Sequence, residues 1–324
     1  MSKCIGCGVE LSIDKNNIGY TTCLDNKLCE RCFRIRNYNE YKTVTKDNDE
    51  YYKILDGIDN SLTLLIIDLF DIPSNLKTII KHLNNQVILV LTKFDLIPTD
   101  YEEKFIGYFK DNYSLNIIDT IIISSKKNYH IDQLYDMIKK YNNTNKVYLV
   151  GPTNAGKSSI INKLIYNYSD SDTTITTSNL PSTTLNTIEI KLNDITLIDT
   201  PGIISFDSLI NYVDSKLLKK IIPNNKIKPI SYQIKTKQFI KIEDIFGIEC
   251  INNNNIVLYI SNSLSINRYY KDIRMDNLVK HHINVDDDSD IVIPGLGFIH
   301  VLNSDEFNIY LLNDIGYYIR KSIV

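Results

Sequence analysis

The sequence predicts an α/β fold in the middle of the chain, preceded by a cysteine-rich segment and followed by a smaller β-rich (α+β) domain. Three observations predict it. Apolar strands alternate with amphipathic helices from Leu62 to Asp199, as in a parallel sheet. Five of the six cysteines lie near the N-terminus, and an apolar period of two prevails after Pro229. We therefore predict three domains, at residues 1–45, 46–223 and 224–324.

Composition limits the class of protein. The chain has 324 residues, 43% apolar and 23% charged, which is ordinary for a globular protein of two or three domains. No apolar run approaches the roughly 18 residues of a membrane span, and no signal region precedes Cys4. We expect a cytoplasmic monomer without a membrane partner. The net charge of −3 excludes a polycation, but the lysines from Lys216 to Lys241 have no acidic neighbours in that stretch. That stretch suits a polyanion or a solvated face.

The N-terminal segment carries two C-x-x-C pairs whose spacing is close to that of a zinc site. We assign the zinc ligands as Cys4, Cys7, Cys29 and Cys32. Cys23 stands outside the pattern as a spare thiol. Disulfides are disfavoured in a chain without a signal peptide. The zinc knuckle could be a structural clip or an RNA contact, because Arg31, Phe33 and Arg34 lie beside the second pair.

The first loop with a chemical signature is TKFD, Thr92–Asp95, which ends the apolar strand Gln86–Leu91. A carboxylate at Asp95 can accept hydrogen bonds from guanine N1–H and its 2-amino group, which adenine lacks there. Lys93 can lie along the ring. A second strand, Thr120–Ile123, ends in SSKK, where Ser124 and the backbone N–H of Ser125 can approach guanine O6.

The stretch GPTNAGKS that follows Val147–Val150 fits the phosphate-binding P-loop, G-x-x-x-x-G-K-[ST]. An apolar helical stripe follows it, so the helix N-terminus adds to an anion site. Lys157 can reach the β- and γ-phosphates, and Ser158 can bind Mg²⁺. The P-loop residues assigned to nucleotide are Gly151, Asn154, Ala155, Gly156, Lys157, Ser158 and Ser159. Alone, this motif does not choose between ATP and GTP.

Two further loops complete a nucleotide site. The polar stretch Ser169–Thr184 is predicted to be a mobile loop, and Thr184 at its end can join the Mg²⁺ shell when the γ-phosphate is present. The strand Ile195–Ile198 ends in DTPG, where Asp199 can hold the Mg²⁺ shell and the Gly202 N–H can sense the γ-phosphate. An amphipathic helix over Leu209–Ile222 is predicted to close this domain.

In ordinary small GTPases the base reader follows the phosphate loop, whereas here it precedes it. This order resembles the circularly permuted P-loop GTPases of ribosome assembly, and among them the chain is most similar to the YqeH family. The motifs that carry the resemblance are the C-x-x-C pairs, CERCFRIRNYNE, IIDLFDIPSN, TKFD, GPTNAGKS, PSTT, DTPG and IVIPGLGF.

The resemblance implies a GTPase that converts GTP to GDP and phosphate with Mg²⁺, coupled to maturation of the small ribosomal subunit. It also implies that the zinc knuckle and the C-terminal domain contact rRNA or ribosomal proteins. Thr92 departs from the family's Asn and predicts weaker guanine binding. Ile203 stands where many GTPases place the Gln that orients water, which predicts slow intrinsic hydrolysis.

Asn154 is a candidate for the missing assistance. Related GTPases bind K⁺ through an Asn at this P-loop position, so catalysis is assigned to Lys157, Thr184 and Asn154. The other interpretation is a polar loop residue without a cation. Two alternatives remain for the whole protein: a zinc-dependent RNA-binding module that senses GTP and GDP with negligible turnover, and an unrelated P-loop ATPase with a chance TKFD.

Overall fold

The computed structural model describes residues 11–13, 20–26, 48–97, 102–113, 117–169, 174–179, 186–270, 275 and 277–324. The predicted zinc ligands and Thr184 lie outside these ranges. In the part of the chain that is described, no helix is both long and apolar enough to cross a membrane.

A seven-stranded sheet forms the centre of the molecule, in the order β3-β2-β1-β4-β7-β6-β5. The first five strands in this order pair in parallel, whereas β6 and β5 are antiparallel additions at one edge. Its strands are β1 (Leu62–Asp68), β2 (Val87–Thr92), β3 (Ile117–Ile122), β4 (Lys146–Val150), β5 (Thr174–Asn179), β6 (Asn186–Leu192) and β7 (Ile195–Asp199).

Helices cover both faces of this sheet, which is why β1 and β2 are apolar at nearly every position and buried throughout. One hydrophobic cluster joins the first three helices to residues such as Leu65 and Ile67, and the other joins the next two to Leu64 and Ile66. The helices are α1 (Asn48–Asp56), α2 (Leu76–Lys81), α3 (Glu102–Asn112), α4 (Ile131–Tyr141), α5 (Lys157–Tyr168) and α6 (Ser215–Ile221).

The C-terminal part is built from two five-stranded antiparallel sheets, in the orders β12-β9-β10-β16-β13 and β17-β14-β15-β11-β8. One apolar cluster fills the space between them, with Phe246 and Ile309 from the first sheet and Ile256 and Ile299 from the second. The strands are β8 (Ile230–Ile234), β9 (Phe239–Ile242), β10 (Phe246–Cys250), β11 (Asn254–Ile260), β12 (Ile266–Tyr269), β13 (Val279–Val285), β14 (Ser289–Ile293), β15 (Gly297–Val301), β16 (Asp305–Leu311) and β17 (Tyr318–Lys321).

Two predicted elements are corrected. Thr174–Asn179, within the predicted loop Ser169–Thr184, forms strand β5. Its β-branched residues favour an edge strand, which needs no apolar alternation. The predicted helix Leu209–Ile222 is a 3-10 turn at Leu209–Asn211 followed by α6. Asp214 separates them because its extended backbone and carboxylate cap the second helix, accepting a 2.7 Å hydrogen bond from Leu217 N.

The acidic run Asp286–Asp290 is exposed at its first three residues but ends in a buried carboxylate. Asp290 is fully buried on β14, where Arg320 Nε donates to its Oδ2 over 3.1 Å and His300 Nδ1 lies 3.3 Å from its Oδ1. A buried carboxylate requires such partners. The run therefore contributes an ion pair to the C-terminal core.

Candidate nucleotide-binding site

The P-loop lies between β4 and α5 and is held close to the sheet. A Cβ added at Gly151 would lie 2.2 Å from the Ile66 carbonyl oxygen, so a side chain cannot be accommodated there. Asn154 (φ 63°) and Gly156 (φ 99°) have left-handed backbones, and Gly156 is the N-cap of α5. The loop therefore leads into the N-terminus of a twelve-residue helix, the position at which the sequence predicts an anion site.

Lys157, at the start of α5, lies folded over this loop. Its Nζ donates to the carbonyl oxygens of Gly151 (2.8 Å) and Pro152 (2.9 Å). Burial lowers the pKa of Lys157 to about 8, and the nearby Asp199 carboxylate offsets part of that effect. A bound phosphate would supply a full negative charge to the same ammonium and favour its protonated form.

Asp199 ends β7 directly opposite Leu149 of β4, so the sheet register places it beside the P-loop. Burial raises its pKa to about 6, with an opposing contribution from Lys157. Its Oδ1 is buried and has no hydrogen-bond partner among the described residues. An unsatisfied carboxylate oxygen next to the predicted anion site fits the oxygen-ligand chemistry of Mg²⁺, and Ser158, the second residue of α5, is exposed. Bound there, Mg²⁺ would neutralise charge on the phosphates.

The segment after Asp199 packs directly on the P-loop. Thr153 N donates to Ile203 O over 2.9 Å, and Ile203 N donates to Gly151 O over 3.2 Å. A Cβ at Gly202 would lie 2.8 Å from Thr153 Cγ2, so this approach requires glycine. Ile203 is only 1% exposed. Its aliphatic side chain packs in the core and cannot orient water.

Thr92 joins the TKFD loop, which is predicted to read the base, to the P-loop. Its buried Oγ1 donates to Ala155 O over 2.6 Å and lies 3.3 Å from Ile67 O. Asp95 accepts a 2.6 Å hydrogen bond from Ser124 Oγ. TKFD, SSKK and the P-loop therefore meet at one edge of the sheet, where the carboxyl ends of parallel strands bind ligands.

A cavity of about 290 Å³ lies at this edge. Its walls are the P-loop from Asn154 to Ser159, the side chains of Asp68, Phe70, Asp71 and Lys93, and a surface from the later part of the chain. Some residues predicted to bind the nucleotide are described by the structure but do not line this cavity. They are Gly151, Thr92, Asp95, Ser124, Ser125, Asp199 and Gly202.

Two parts of this cavity lie outside the motifs predicted to bind the nucleotide. Asp68 ends β1 and binds Lys93 Nζ over 2.7 Å; the signal was the acidic residue ending an apolar strand beside β2. The wall formed by Ile221–Pro223 and Gly295 comes from α6, the residues that follow it and the PGLG turn between β14 and β15. Only the glycines of that turn signalled a close approach.

Two family models match overlapping parts of this chain. A family model described as "50S ribosome-binding GTPase" matches residues 146–289, and one described as "RsgA GTPase" matches residues 74–209. The solved structure of YjeQ from Thermotoga maritima covers 44% of this chain and 48% of its own, with 20% identity and a TM-score of 0.30.

The sequence comparison extends over nearly the whole chain. YqeH of Bacillus subtilis (strain 168) is 32% identical over 99% of both chains. The chloroplastic/mitochondrial NO-associated protein 1 of Arabidopsis thaliana is 25% identical over 73% of this chain and 49% of its own. Together with the GTPase family matches and the base reader placed before the P-loop, these similarities show that the chain is a GTP-hydrolysing enzyme and belongs to the YqeH family of circularly permuted GTPases.

Proposed function

We propose that this GTPase is a nucleotide-dependent switch in assembly of the small ribosomal subunit. Nucleotide binding is supported above all by the hydrogen bond from Thr92 to Ala155, which connects the proposed base reader to the P-loop. The ribosomal half is supported by the family model described as a ribosome-binding GTPase.

Cosedimentation tests the choice of subunit. The protein is mixed with purified small or large ribosomal subunits under GTP, GDP or a non-hydrolysable GTP analogue. We expect binding to the small subunit that differs between nucleotides. Binding to the large subunit alone, as the description of the matching family suggests, would contradict the small-subunit proposal while leaving the GTPase assignment intact.

Exposed lysines on α6 and in the segment that follows it support an RNA partner. Lys220 pairs with Glu243 over 2.9 Å and Lys241 pairs with Asp244. The exposed lysines of the same stretch are Lys216, Lys219, Lys226, Lys228, Lys235 and Lys237. Lysines that neutralise phosphates make binding fall with salt, so affinity for rRNA should fall by about tenfold or more between 50 and 200 mM salt.

We also infer that Asn154 holds K⁺ beside the phosphates. Asn154 lines the cavity and has a left-handed backbone, and the buried Ile203 leaves water orientation to another group. Turnover should fall when K⁺ is replaced by Na⁺ and should lose that cation dependence in Asn154→Ala. Equal turnover of the wild type in both salts would refute the cation site.

The zinc site is proposed from the cysteine spacing alone, since Cys4, Cys7, Cys29 and Cys32 lie outside the described residues. Metal analysis of the purified protein should find one zinc per chain, released in the Cys29→Ser, Cys32→Ser variant. Exposed Cys23 offers a matched control, because its substitution by Ser should leave the zinc content unchanged.

A further inference from the structure

The structure contains an ion pair between Asp68 and Lys93 that the sequence motifs did not predict. We infer that Asp68 is a positioning residue for guanine recognition: it fixes Lys93 in the orientation that stacks along the base before the nucleotide arrives. This inference rests on the proposed guanine site, and concerns how that site reaches its affinity.

The sheet brings the two residues together. Strands β1 and β2 run in parallel with Asp68 level with Thr92, and Leu69 N donates to Thr92 O over 3.2 Å. Lys93, the next residue of β2's chain, therefore begins its loop beside the Asp68 carboxylate. The pair is a consequence of the strand register rather than of a flexible surface encounter.

Both oxygens of the Asp68 carboxylate are occupied. Phe70 N donates to Oδ1 over 2.9 Å, which fixes the carboxylate plane, and Lys93 Nζ donates to Oδ2 over 2.7 Å. The Asp68 side chain is 9% exposed, against 30% for Lys93. A largely buried carboxylate with a hydrogen bond to each oxygen is a rigid support. The lysine that it binds remains accessible from the cavity that both residues line.

The backbone at Lys93 supports the same conclusion. Its φ of 61° is in the left-handed region, which a residue other than glycine adopts at a cost unless its surroundings fix it. Thr92 cannot fix the lysine side chain because its own hydroxyl is committed to Ala155 O. The ion pair with Asp68 restrains the Lys93 side chain, and rotamer freedom lost on folding need not be lost on binding.

The substitution Asp68→Asn tests this with little change of shape, because Asn Oδ1 can still accept from Phe70 N. We expect GDP and GTP affinity to fall about tenfold, the lower end of the effect of losing a hydrogen bond to a charged group. Affinity for inorganic tripolyphosphate, which has no base, should stay unchanged. A merely structural role would weaken both probes or neither.

Two further variants complete the experiment. Lys93→Met should weaken GDP binding as Asp68→Asn does, and the double variant should be no weaker than Lys93→Met alone, because the two residues act as one unit. Glu243→Gln is the matched control: it removes the carboxylate of the Lys220 ion pair, which lies outside the cavity, and should leave GDP affinity unchanged.

Two results would overturn the positioning role: wild-type GDP affinity in Asp68→Asn, or fully additive losses of GDP affinity in the double variant. Should Asp68→Asn fail to fold, Lys93→Met with wild-type GDP affinity would overturn it equally. Unchanged guanine selectivity in both Lys93→Met and Asp95→Asn would instead refute the guanine site itself.

Discussion

Single residues determine how the base reader and the P-loop stay together, and Thr92 is the clearest case. The sequence indicated that it is shorter than the Asn of the family and predicted weaker guanine binding. The structure shows what the hydroxyl does instead: it donates to Ala155 O over 2.6 Å from a position 3% exposed. A short side chain suits that contact, since the partner carbonyl lies in the adjacent loop.

Thr92→Val should therefore affect both stability and binding. It keeps the shape but leaves the Ala155 carbonyl without its donor, which typically costs about 1–3 kcal/mol. We expect a lower free energy of unfolding in urea and several-fold weaker GDP binding. Thr92→Ser, which retains the hydroxyl, serves as the control. Wild-type behaviour of the valine variant would show that the bond contributes nothing.

The ionisation of Asp71 makes the stability of the folded protein depend on pH. Burial, together with the nearby Asp68 and Asp207 carboxylates, raises its pKa to about 6, although Gly295 N donates to its Oδ1 over 3.0 Å and Lys93 attracts it. The folded state therefore binds more protons than the unfolded state between about pH 4 and 6. Over that window, this residue's contribution to stability decreases as pH rises.

Asp71→Asn should remove that dependence. At neutral pH we expect the variant to be more stable than the wild type, by up to about 3 kcal/mol, because a desolvated charge is lost and Asn can still accept from Gly295 N. At pH 4 the difference should vanish. Urea unfolding at several pH values measures it, and a constant difference between the two proteins would contradict the shifted titration.

At the scale of elements, apolar patterning identified the central strands, because a strand buried on both faces must be apolar along its length. Apolar patterning did not predict elements whose limits are set by backbone pairing or by a capping side chain rather than by burial. Edge strand β5 pairs through its backbone, and the break before α6 depends on one capping carboxylate at Asp214. The close approach of the PGLG turn to Asp71 depends on contacts 224 residues apart in the chain, which no local pattern encodes.

That turn gives an element-scale prediction. Gly295 has φ 82°, and an added Cβ would lie 2.5 Å from Ser208 Oγ and 3.0 Å from Ile210 N. Gly295→Ala should lower the free energy of unfolding by about 1–3 kcal/mol through overpacking and backbone strain. It should also weaken GDP binding, since Gly295 lines the cavity. Gly107→Ala, in the helix α3 with open space around it, should be neutral or stabilising.

At the scale of the whole molecule, the C-terminal part packs on the side of the sheet that carries the TKFD loop. Ile227 N donates to Leu96 O over 2.9 Å, next to Asp95, and Tyr318 Oη donates to Ile72 O over 2.6 Å. Sequence motifs predicted the loops of the nucleotide site. They did not predict that the C-terminal part packs beside those loops, because that packing depends on how the central sheet and the C-terminal sheets contact each other. The domain boundaries at residues 45 and 223 stay predictions; Leu209 and Ile221 already pack in the C-terminal cluster.

The central claim is that loops in permuted chain order form one guanine-nucleotide site, and Asp95→Asn tests it most directly. The relative affinities of GDP and XDP are measured for the wild type, the variant and Asp136→Asn, a matched change on an exposed helix face. We expect Asp95→Asn to shift the preference from guanine to xanthine by on the order of 10² or more, with Asp136→Asn unchanged. Retention of full GDP selectivity in Asp95→Asn would contradict the claim.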